Sequence, residues 1–513
     1  YYSDIYKDFN DASFGSLVVD TVSYIGDILS FYLDYQANES FMDSAIEYDN
    51  VLKHARTLGY KYSNSYSATG TCSFYILVPS RLDINAPDYS YLPILRKGTL
   101  LSTNSGTTFT LTEDVDFSDP NNEVVVASVD EDPNSRAPTF FGVLASGNVI
   151  SGELAQYTQE VSGFQRFLKV DLPGENISEI ISVTDSSGNE YHQVEYLSQN
   201  TIFKSLPNKG ANFDSVASIL KAVAVPRRYI VENLENSTYI QFGHGSEAEM
   251  TSTSYSDPSS IIMKIHGKYY VETPNFDPKN LTSTDKLGIA PSNTTLKIVY
   301  RINMSQNANT ATRAINNVTD PKLFFKSRPT LRDDMVEVVT NSIQVENDEP
   351  IIGDITAPKS DEVRRRAADT FATQSRAVTM QDYKSSVYLM PSNFGAVKRC
   401  SVYRDYNDLK RNLNIYVISE NSDNNLVKPN QVIKNNLKTW LNSVRMITDS
   451  VDIKDAKVLN VGIKFRAAVS RDADKQKILK EAIEALKEKF VVHPEIGESL
   501  MVTDIFKCLK DVE

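Results

Sequence analysis

The chain has 513 residues, a net charge of −13 and a pI of about 5.1; 41% of its residues are hydrophobic and 23% are charged. This length predicts about two to four domains with ample cores. The acidic balance argues against a nucleic-acid partner, because phosphate-binding surfaces are usually basic.

The first part of the chain is predicted to be helical. Apolar residues recur with the helical period along the first helix and give its candidate interface residues: Leu17, Val18, Ile25, Ile28 and Tyr32. A second helix is predicted from Phe41 to Leu58, with Gly59 ending it. Helices with so much aromatic surface need either the following β domain or a partner helix to cover them. No apolar run is expected to span a membrane, and no signal peptide is visible.

Strand patterns dominate the middle of the chain. Runs such as Glu123–Val129 are rich in β-branched residues, and loops rich in Asp, Asn and Pro separate them. After Phe242, the glycines Gly243 and Gly245 are expected to allow positive φ at a tight turn. Residues 246–290 are rich in Ser, Pro, Asp and Lys and are predicted to form a loop insertion.

Two capped helices are predicted after the β-rich part. Ser360 is expected to be the N-cap of the first, with Asp361 and Glu362 in the first turn, where carboxylates suit the helix dipole. Thr379 and Asp382 have the spacing of a capping box and begin the second helix. Nothing else in the chain is so strongly specified by local chemistry.

The end of the chain has the order strand, helix, strand, helix. Lys457–Val469 alternates as a strand, Arg471–Phe490 is amphipathic, Ser499–Val502 is a short strand, and Thr503 can cap a last helix. This order predicts a ferredoxin-like unit that lacks a closing strand, so we expect the given chain to stop short of a complete domain.

The predicted fold is therefore a multidomain α+β protein with N-terminal helices, β-rich middle domains, a helical core segment and a C-terminal ferredoxin-like α/β unit. The predicted boundaries are 1–65, 66–140, 141–320, 321–450 and 451–513. Two proline-containing segments, Asp320–Thr330 and Asn347–Pro358, are either hinges between rigid parts or simple surface loops.

No constellation for catalysis stands out. The five histidines lack HExxH or paired metal spacing, and no P-loop, dinucleotide-binding GxGxxG or GxSxG motif occurs. The basic run Arg364–Arg366 reads more simply as a solvated or ion-paired helix surface than as a phosphate site. Cys72, Cys400 and Cys508 are far apart and odd in number, which excludes a disulfide framework and favours a reducing cytoplasm. We expect no enzyme activity, metal or cofactor.

Several patches resemble the baseplate J-like family of contractile phage tails and related injection machines. The residues that carry the resemblance are Phe242, Gly243, Gly245, Gly353, Asp354, Arg365, Ala367, Arg376, Val378, Thr379, Asp382, Tyr383 and Pro391. Together with the N-terminal helices, they are most similar to the baseplate wedge proteins of large contractile-tailed phages. The pattern departs from the family near Met304–Thr312, where Ser305, Gln306, Asn307 and Asn309 replace most glycines of an expected turn. Asparagine can also adopt the left-handed conformation, so the turn can be kept.

The resemblance implies a structural subunit of the tail baseplate in the virion, assembled in the host cytoplasm. Copies would form an inner wedge ring around the tail hub, with homodimer contacts at both ends of the molecule. Other wedge proteins and a sheath-initiator-like protein would be partners, without nucleic acid or membrane, and the ring would hold while the baseplate rearranges.

Two other functions stay open. The abundance of tyrosine and β structure also fits a carbohydrate-binding adhesion protein, although the single tryptophan, Trp440, falls on a predicted apolar helix surface. A hydrolase with an unrecognised Asp/Glu pair is the third possibility, since such a pair has no sequence signature.

Overall fold

A computed structural model describes residues 14–81, 86–130, 137–207, 218–234, 237–246, 287–303, 307–405, 412–466, 474–490 and 495–510. The chain divides into two compact units. The helical unit comprises Tyr1–Tyr62 and Ala357–Arg376, and the main unit comprises Ser63–Thr356 and Ala377–Glu513.

Eight α-helices occur in the described residues. They are α1 Phe14–Glu39, α2 Tyr48–Thr57, α3 Asp333–Asn341, α4 Ser360–Thr373, α5 Met380–Tyr388, α6 Gln431–Val444, α7 Lys475–Lys489 and α8 Val502–Lys510. As predicted, Gly59 follows α2 with a φ of +90°, a conformation that glycine adopts without strain. The predicted cap of α4 is wrong: the helix already includes Ser360, and Lys359 precedes it without a side-chain cap.

The helical unit is held together by α2 and α4, which pack against each other. Arg364 of α4 donates from Nε to the carbonyl of Met42 at 2.8 Å and from Nη2 to that of Ala45 at 2.6 Å. The Tyr48 hydroxyl donates to the Pro358 carbonyl at 2.7 Å. These bonds satisfy loop carbonyls that no helix ladder reaches, so they fix the turn before α2 against α4.

The strands are numbered in chain order. Those before residue 200 are β1 Thr69–Arg81, β2 Ala86–Pro87, β3 Ile94–Leu95, β4 Leu100–Thr103, β5 Thr108–Leu111, β6 Val115–Asp116, β7 Glu123–Val129, β8 Pro138–Ser151, β9 Glu153–Val161, β10 Lys169–Leu172, β11 Ile177–Thr184 and β12 Glu190–Gln193. The later ones are β13 Thr201–Pro207, β14 Ser218–Ala224, β15 Arg228–Asn233, β16 Thr238–Phe242, β17 Thr294–Ile302, β18 Ile315–Asp320, β19 Leu323–Phe324, β20 Gln344–Glu346, β21 Arg399–Arg404, β22 Asn412–Glu420, β23 Leu426–Val427 and β24 Ser450–Asp455.

An eight-stranded sheet forms the first part of the main unit. Its order is β18-β4-β5-β8-β1-β2, with β20 also pairing with β1 and β7 with β8. Long antiparallel pairing of β1 with β8 runs from Thr69 opposite Ile150 to Pro79 opposite Phe140. Alternate residues of β1 point inward, and Phe74 and Ile76 lie in a core to which α3 contributes.

A seven-stranded sheet follows in the order β10-β16-β15-β12-β11-β17-β9. Phe242 is buried in its core. The expected reason for the glycines after Phe242 is wrong, because neither Gly243 nor Gly245 has positive φ. Gly243 is instead a site of close backbone approach, since a Cβ there would overlap the carbonyl oxygen of Gly288. Most of the predicted loop insertion, residues 247–286, lies outside the described residues.

A smaller α+β layer completes the main unit. β22 pairs antiparallel with β21 and parallel with β24, and α6 forms the crossover between the two parallel strands. Helices α5 and α6 cover one side of this sheet, where Tyr383, Val387, Ile433 and Leu437 are buried. Trp440 also packs here and donates from Nε1 to the Ser386 carbonyl at 2.8 Å, so it offers no exposed platform for sugars.

The C-terminal strands differ from the prediction. Residues 457–466 of the predicted strand Lys457–Val469 pair with no other strand, and 467–469 lie outside the described residues. Residues 499–501 are not a strand either, and Thr503 lies inside α8 rather than capping it. An alternating pattern becomes a strand only where a neighbour supplies ladder hydrogen bonds, and the described residues supply none. The ferredoxin-like unit stays a prediction.

Four buried asparagine side chains connect the loops between these layers. They are Asn303, Asn309, Asn347 and Asn430. The amide of Asn347 accepts from the backbone N–H groups of Ala314 and Ile315, each at 3.0 Å. It also donates to the carbonyls of Ala311 at 2.8 Å and Glu349 at 2.9 Å. All bonding positions of this amide are thus used on backbone groups in loops and at the start of β18.

Substitution of Asn347 by Ala tests this role. The backbone N–H groups of Ala314 and Ile315 would lose their partner inside the protein, so we expect the free energy of unfolding to fall by about 3 kcal/mol. Urea unfolding followed by circular dichroism measures the change. Asn435→Ala, on the exposed surface of α6, is the matched control and should change stability by less than about 0.5 kcal/mol. Equal effects of the two substitutions would contradict the assignment.

Candidate assembly sites

Helix α1 exposes nearly all of its apolar residues. Eleven large apolar side chains on it are between 44% and 76% exposed, among them Leu17, Val18, Ile25 and Tyr32. Ile28 is half-buried. The sequence left open whether the chain itself or a partner covers the apolar surface of this helix. The described chain does not cover it, which favours a partner. An apolar surface of this extent is typical of a contact site.

Polar residues of α1 repeat every seven positions. Ser16, Ser23 and Ser30 form one row, and Asp20, Asp27 and Asp34 form the adjacent row. Both rows lie on one narrow stripe of the helix, and roughly two thirds of its circumference is apolar. A strict seven-residue repeat is the pattern of helices that supercoil around one another with a fixed side toward solvent.

The expectation that no apolar run could span a membrane does not hold for α1. Its 26 residues are long and apolar enough, by length and composition, to cross a membrane. The sequence-based statement that no run has this property is therefore wrong. The same test is passed by helices that are buried in protein assemblies, so the result alone does not choose between a bilayer and a protein partner.

Gly353 and Asp354 lie in the interior of the main unit. Gly353 has a φ of +124°, and a Cβ there would lie 3.1 Å from the Ser67 carbonyl oxygen. The next residue, Asp354, accepts the Ala308 N–H through Oδ2 at 2.8 Å. Its backbone N–H donates to Asn309 Oδ1 at 3.0 Å, and Asn309 Nδ2 donates back to its carbonyl at 2.6 Å. Glycine is required for the turn, and the aspartate holds two segments together.

A second buried carboxylate lies near Asp354. Glu420 forms an ion pair with Lys398, with Oε1 and Nζ 2.9 Å apart, and its Oε2 accepts from both the N–H and the hydroxyl of Thr356. Burial first, and then the charge of Glu420, raise the pKa of Asp354 to about 7, against the opposing effect of the Ala308 hydrogen bond. At neutral pH, this cluster therefore holds a fractional proton.

The second capped helix is confirmed in detail. Thr379 accepts from the Asp382 N–H, and the Asp382 carboxylate accepts from the Thr379 N–H, so the capping box is complete. Tyr383 is buried behind it and donates to Asp449 Oδ2 at 2.9 Å. Burial, followed by this hydrogen bond, raises the pKa of Tyr383 to about 12. These contacts give the motif a structural role in the core.

The remaining motif residues fall into two groups. Ala367 is buried on α4. Arg365, Arg376, Val378 and Pro391 are exposed, and Pro391 precedes a short 3₁₀ turn after α5. The structure therefore divides the motif into a buried set that maintains the fold and an exposed set that is available for contacts.

The basic run on α4 is mostly ion-paired, as its simpler interpretation predicts. Arg366 Nη2 lies 2.6 Å from Glu362 Oε1 in a buried pair, and Arg364 Nη1 lies 2.5 Å from Asp361 Oδ1. Arg365 is exposed. Two of the three guanidinium groups are thus used inside the helical unit. Among the described residues, no group of three or more His, Cys, Asp or Glu side chains could hold a metal ion.

The buried polar residues that connect the layers of the main unit are called the junction here. Sequence reasoning did not find its members Asn303, Asn309, Asn430, Lys398 and Glu420. The expectation that asparagines after residue 303 replace glycines in a left-handed turn is wrong at Asn307 and Asn309, which do not have positive φ. Asn309 acts through its side chain instead. A polar residue within an apolar run, such as Glu420 at the end of β22, was the available signal.

The helical unit carries the sequence similarity to a known family. Residues 5–57 match the family model described as bacteriophage baseplate protein, N-terminal domain. The match includes α1 and α2 and supports a structural protein of a phage baseplate. No curated protein matches the chain.

Two solved assemblies contain chains with remote similarity. One is the type VI secretion system TssK-TssF-TssG baseplate subcomplex, at 8% identity and a TM-score of 0.25, covering 89% of this chain and 100% of that chain. The other is the anti-feeding prophage baseplate, at 10% identity and a TM-score of 0.19, covering 85% and 66%. Scores this low do not establish a shared fold.

Asp354→Asn should change the pH dependence of stability. The native state holds a proton on Asp354 up to about pH 7, whereas the unfolded chain loses it near pH 4. The free energy of unfolding of the wild type should therefore fall as pH rises from 4 to 7, on the order of 3 kcal/mol from this group, and then level off. The amide can still accept from Ala308.

Urea unfolding at a series of pH values between 4 and 8 measures this contribution as the difference between variant and wild type. The exposed Asp423→Asn is the matched control and should keep the wild-type slope. A wild-type slope in Asp354→Asn as well would show that Asp354 is ionised in the native state throughout this range.

Proposed function

We propose that the chain is a structural subunit of a contractile-tail baseplate wedge. Copies associate into the inner ring around the tail hub and hold the baseplate together during contraction. The observation that carries the proposal is α1, an exposed helix with a seven-residue polar repeat inside the range that matches a phage baseplate domain.

The apolar surface of α1 is wider than a two-helix contact requires. Val18, Ile25 and Tyr32 form one row with the seven-residue spacing, and Val22 and Leu29 form the row beside it. Leu17, Tyr24 and Phe31 form a third row on another side of the helix. A two-stranded coiled coil buries only a narrow stripe, so α1 fits between at least two other helices. A second copy of this chain is the simplest source of one of them.

A bilayer is the competing environment for α1, because of its length. Asp27 would then lie near the bilayer centre, at a cost of about 3 kcal/mol, and Asp20 and Asp34 would add to it. In a helix bundle the same three carboxylates face water at no such cost. The seven-residue spacing of the acids is explained by a bundle and is not required by a membrane span.

Other wedge proteins and a sheath-initiator-like protein are the further partners that we propose. The exposed motif residues Arg365, Arg376 and Val378 are candidate contacts for them. In the hinge candidate Asn347–Pro358, buried hydrogen bonds fix Asn347 and Asp354, and Glu420 accepts from the N–H and the hydroxyl of the exposed Thr356. The exposed Ala357 is therefore the position in this segment that we propose for a hinge. The location that follows is the tail baseplate of the virion.

The triple substitution Val18→Lys, Ile25→Lys and Tyr32→Lys tests the role of α1. Each side chain contributes about 1.5–3 kcal/mol when buried, so the loss of all three should reduce an oligomer to monomer. Light scattering of the full chain at high concentration measures the mass. Wild-type protein that is strictly monomeric would count against a ring-forming subunit.

The triple substitution Ser16→Lys, Ser23→Lys and Ser30→Lys is the matched control. It adds the same charge at the same spacing to the polar stripe and should keep the wild-type mass. Flotation with liposomes distinguishes a helix bundle from a bilayer as the environment of α1. Capture of the wild type by neutral vesicles, without self-association, would support membrane insertion instead.

A further inference from the structure

Strand β7 is exposed along its whole length. Its sequence from Glu123 to Val129 contains four valines that are between 43% and 53% exposed. It pairs with β8 on one edge, and no strand of the described chain pairs with the other. A β-branched edge strand with free N–H and C=O groups is a template for another strand, and natural proteins normally blunt or cover it.

Exposed apolar side chains continue from this edge across one surface of the sheet. Gly142 of β8 lies opposite Val125 of β7 on one side and opposite Leu77 of β1 on the other. Directly paired residues point to the same side of a sheet, so Val125 and Leu77 flank Gly142 there, and Val125 Cγ2 lies 3.4 Å from where a Cβ on Gly142 would be. Tyr75 and Leu77, which are 38% and 39% exposed, extend the apolar surface along β1.

The rim of this surface is acidic. Burial first, and then the carboxylates of Asp348, Glu346 and Glu123, raise the pKa of Tyr75. Glu346 is neutralised by Arg313, with Oε1 and Nε 2.7 Å apart. No ion pair within the described chain involves Asp348 or Glu123. The negative charge of Glu123 therefore remains at the start of β7, whereas that of Asp348 lies beside β1, where its carboxylate accepts the Ser73 hydroxyl at 2.7 Å.

This charge argues against a second copy of β7 as the occupant. Antiparallel pairing centred on Val126 would place Glu123 of each copy next to Asp130 of the other, at both ends of the ladder. Parallel pairing would place the two Glu123 side chains directly opposite each other. Like charges across a ladder are destabilising, so the complementary strand must come from a different sequence with basic ends.

We propose that β7 is a strand-addition site for an extended segment of another protein. That segment is apolar at alternate residues, which pack beside the exposed valines of β7, and it carries Lys or Arg near its ends. The ladder hydrogen bonds supply affinity, and the exposed valines and the acidic residues at the ends of β7 select the sequence. This surface is additional to the contact made by α1 and does not depend on the ring.

Hydrogen–deuterium exchange of the full chain tests the proposal with a defined probe. The probe is the blocked peptide Lys-Val-Thr-Val-Thr-Val-Lys, and its twin with Glu at both ends is the charge control. We expect the Lys-ended peptide to slow exchange of the β7 amides at a concentration about ten-fold below that needed for the Glu-ended peptide. Equal protection by both peptides, or by neither, would overturn the proposal.

The double substitution Val125→Lys and Val126→Lys blocks the edge without removing buried side chains. It should raise the peptide concentration needed for protection at least about ten-fold. Leu154→Lys, at an exposed position on the edge strand β9, is the matched control and should leave it unchanged. Slow exchange of the β7 amides in the isolated wild type would show that the chain covers this edge itself, which would also overturn the proposal.

Discussion

The main unit depends on buried asparagine amides that hydrogen-bond groups in its loops and at the ends of its strands. Asn303 joins Ser151 to Ser65 and Tyr66, and Asn430 caps α6 while donating to the carbonyl of Thr69 at 2.6 Å. Segments that cross between layers cannot use sheet or helix ladders, yet their polar groups are removed from water. An amide carries donors and an acceptor on one short side chain, so it satisfies both kinds of group without a charge. The apolar cores can pack together only because these crossings are satisfied.

The carboxylates at the same junction have a different effect. Glu420 is compensated by Lys398, whereas Asp354 relies on a single backbone N–H and on partial protonation. Removing a charge from water costs several kcal/mol unless it is paired. The junction is consequently less stable in alkali than in mild acid, while the asparagine contacts are insensitive to pH.

The elements that could be predicted from the sequence are those whose causes lie within a few residues. The capping box of Thr379 and Asp382 and the glycine after α2 are local in this sense, and both are confirmed. The junction was not predictable, because Asn430 and Thr69 are 361 positions apart and Asn309 and Asp354 are 45 apart. The alternation of Lys457–Val469 was clear but misleading, since a strand needs a neighbour that sequence pattern does not specify.

The candidate assembly sites also have features that local sequence predicts and features that depend on the rest of the fold. Periodicity predicted an apolar helix with Leu17, Val18, Ile25 and Tyr32 as candidate contacts, and all four side chains are exposed in the structure. What covers a surface depends on the rest of the fold, so neither the exposure of α1 nor that of β7 followed from local sequence. The motif around Gly353 was found by resemblance, and only the coordinates separate its buried members from Arg365 and Val378.

The discontinuous helical unit has a mechanical consequence. Because α4 returns to it late in the chain, three peptide bonds join it to the main unit, at Tyr62–Ser63, Thr356–Ala357 and Arg376–Ala377. Two of these connections are held by hydrogen bonds where they enter the main unit. The Thr356 N–H donates to Glu420, and the Ala377 N–H donates to the Val444 carbonyl at 3.0 Å. A single tether transmits only tension, whereas three attachments also transmit torque. The chain therefore has three covalent connections, not one, through which load can pass between the two units.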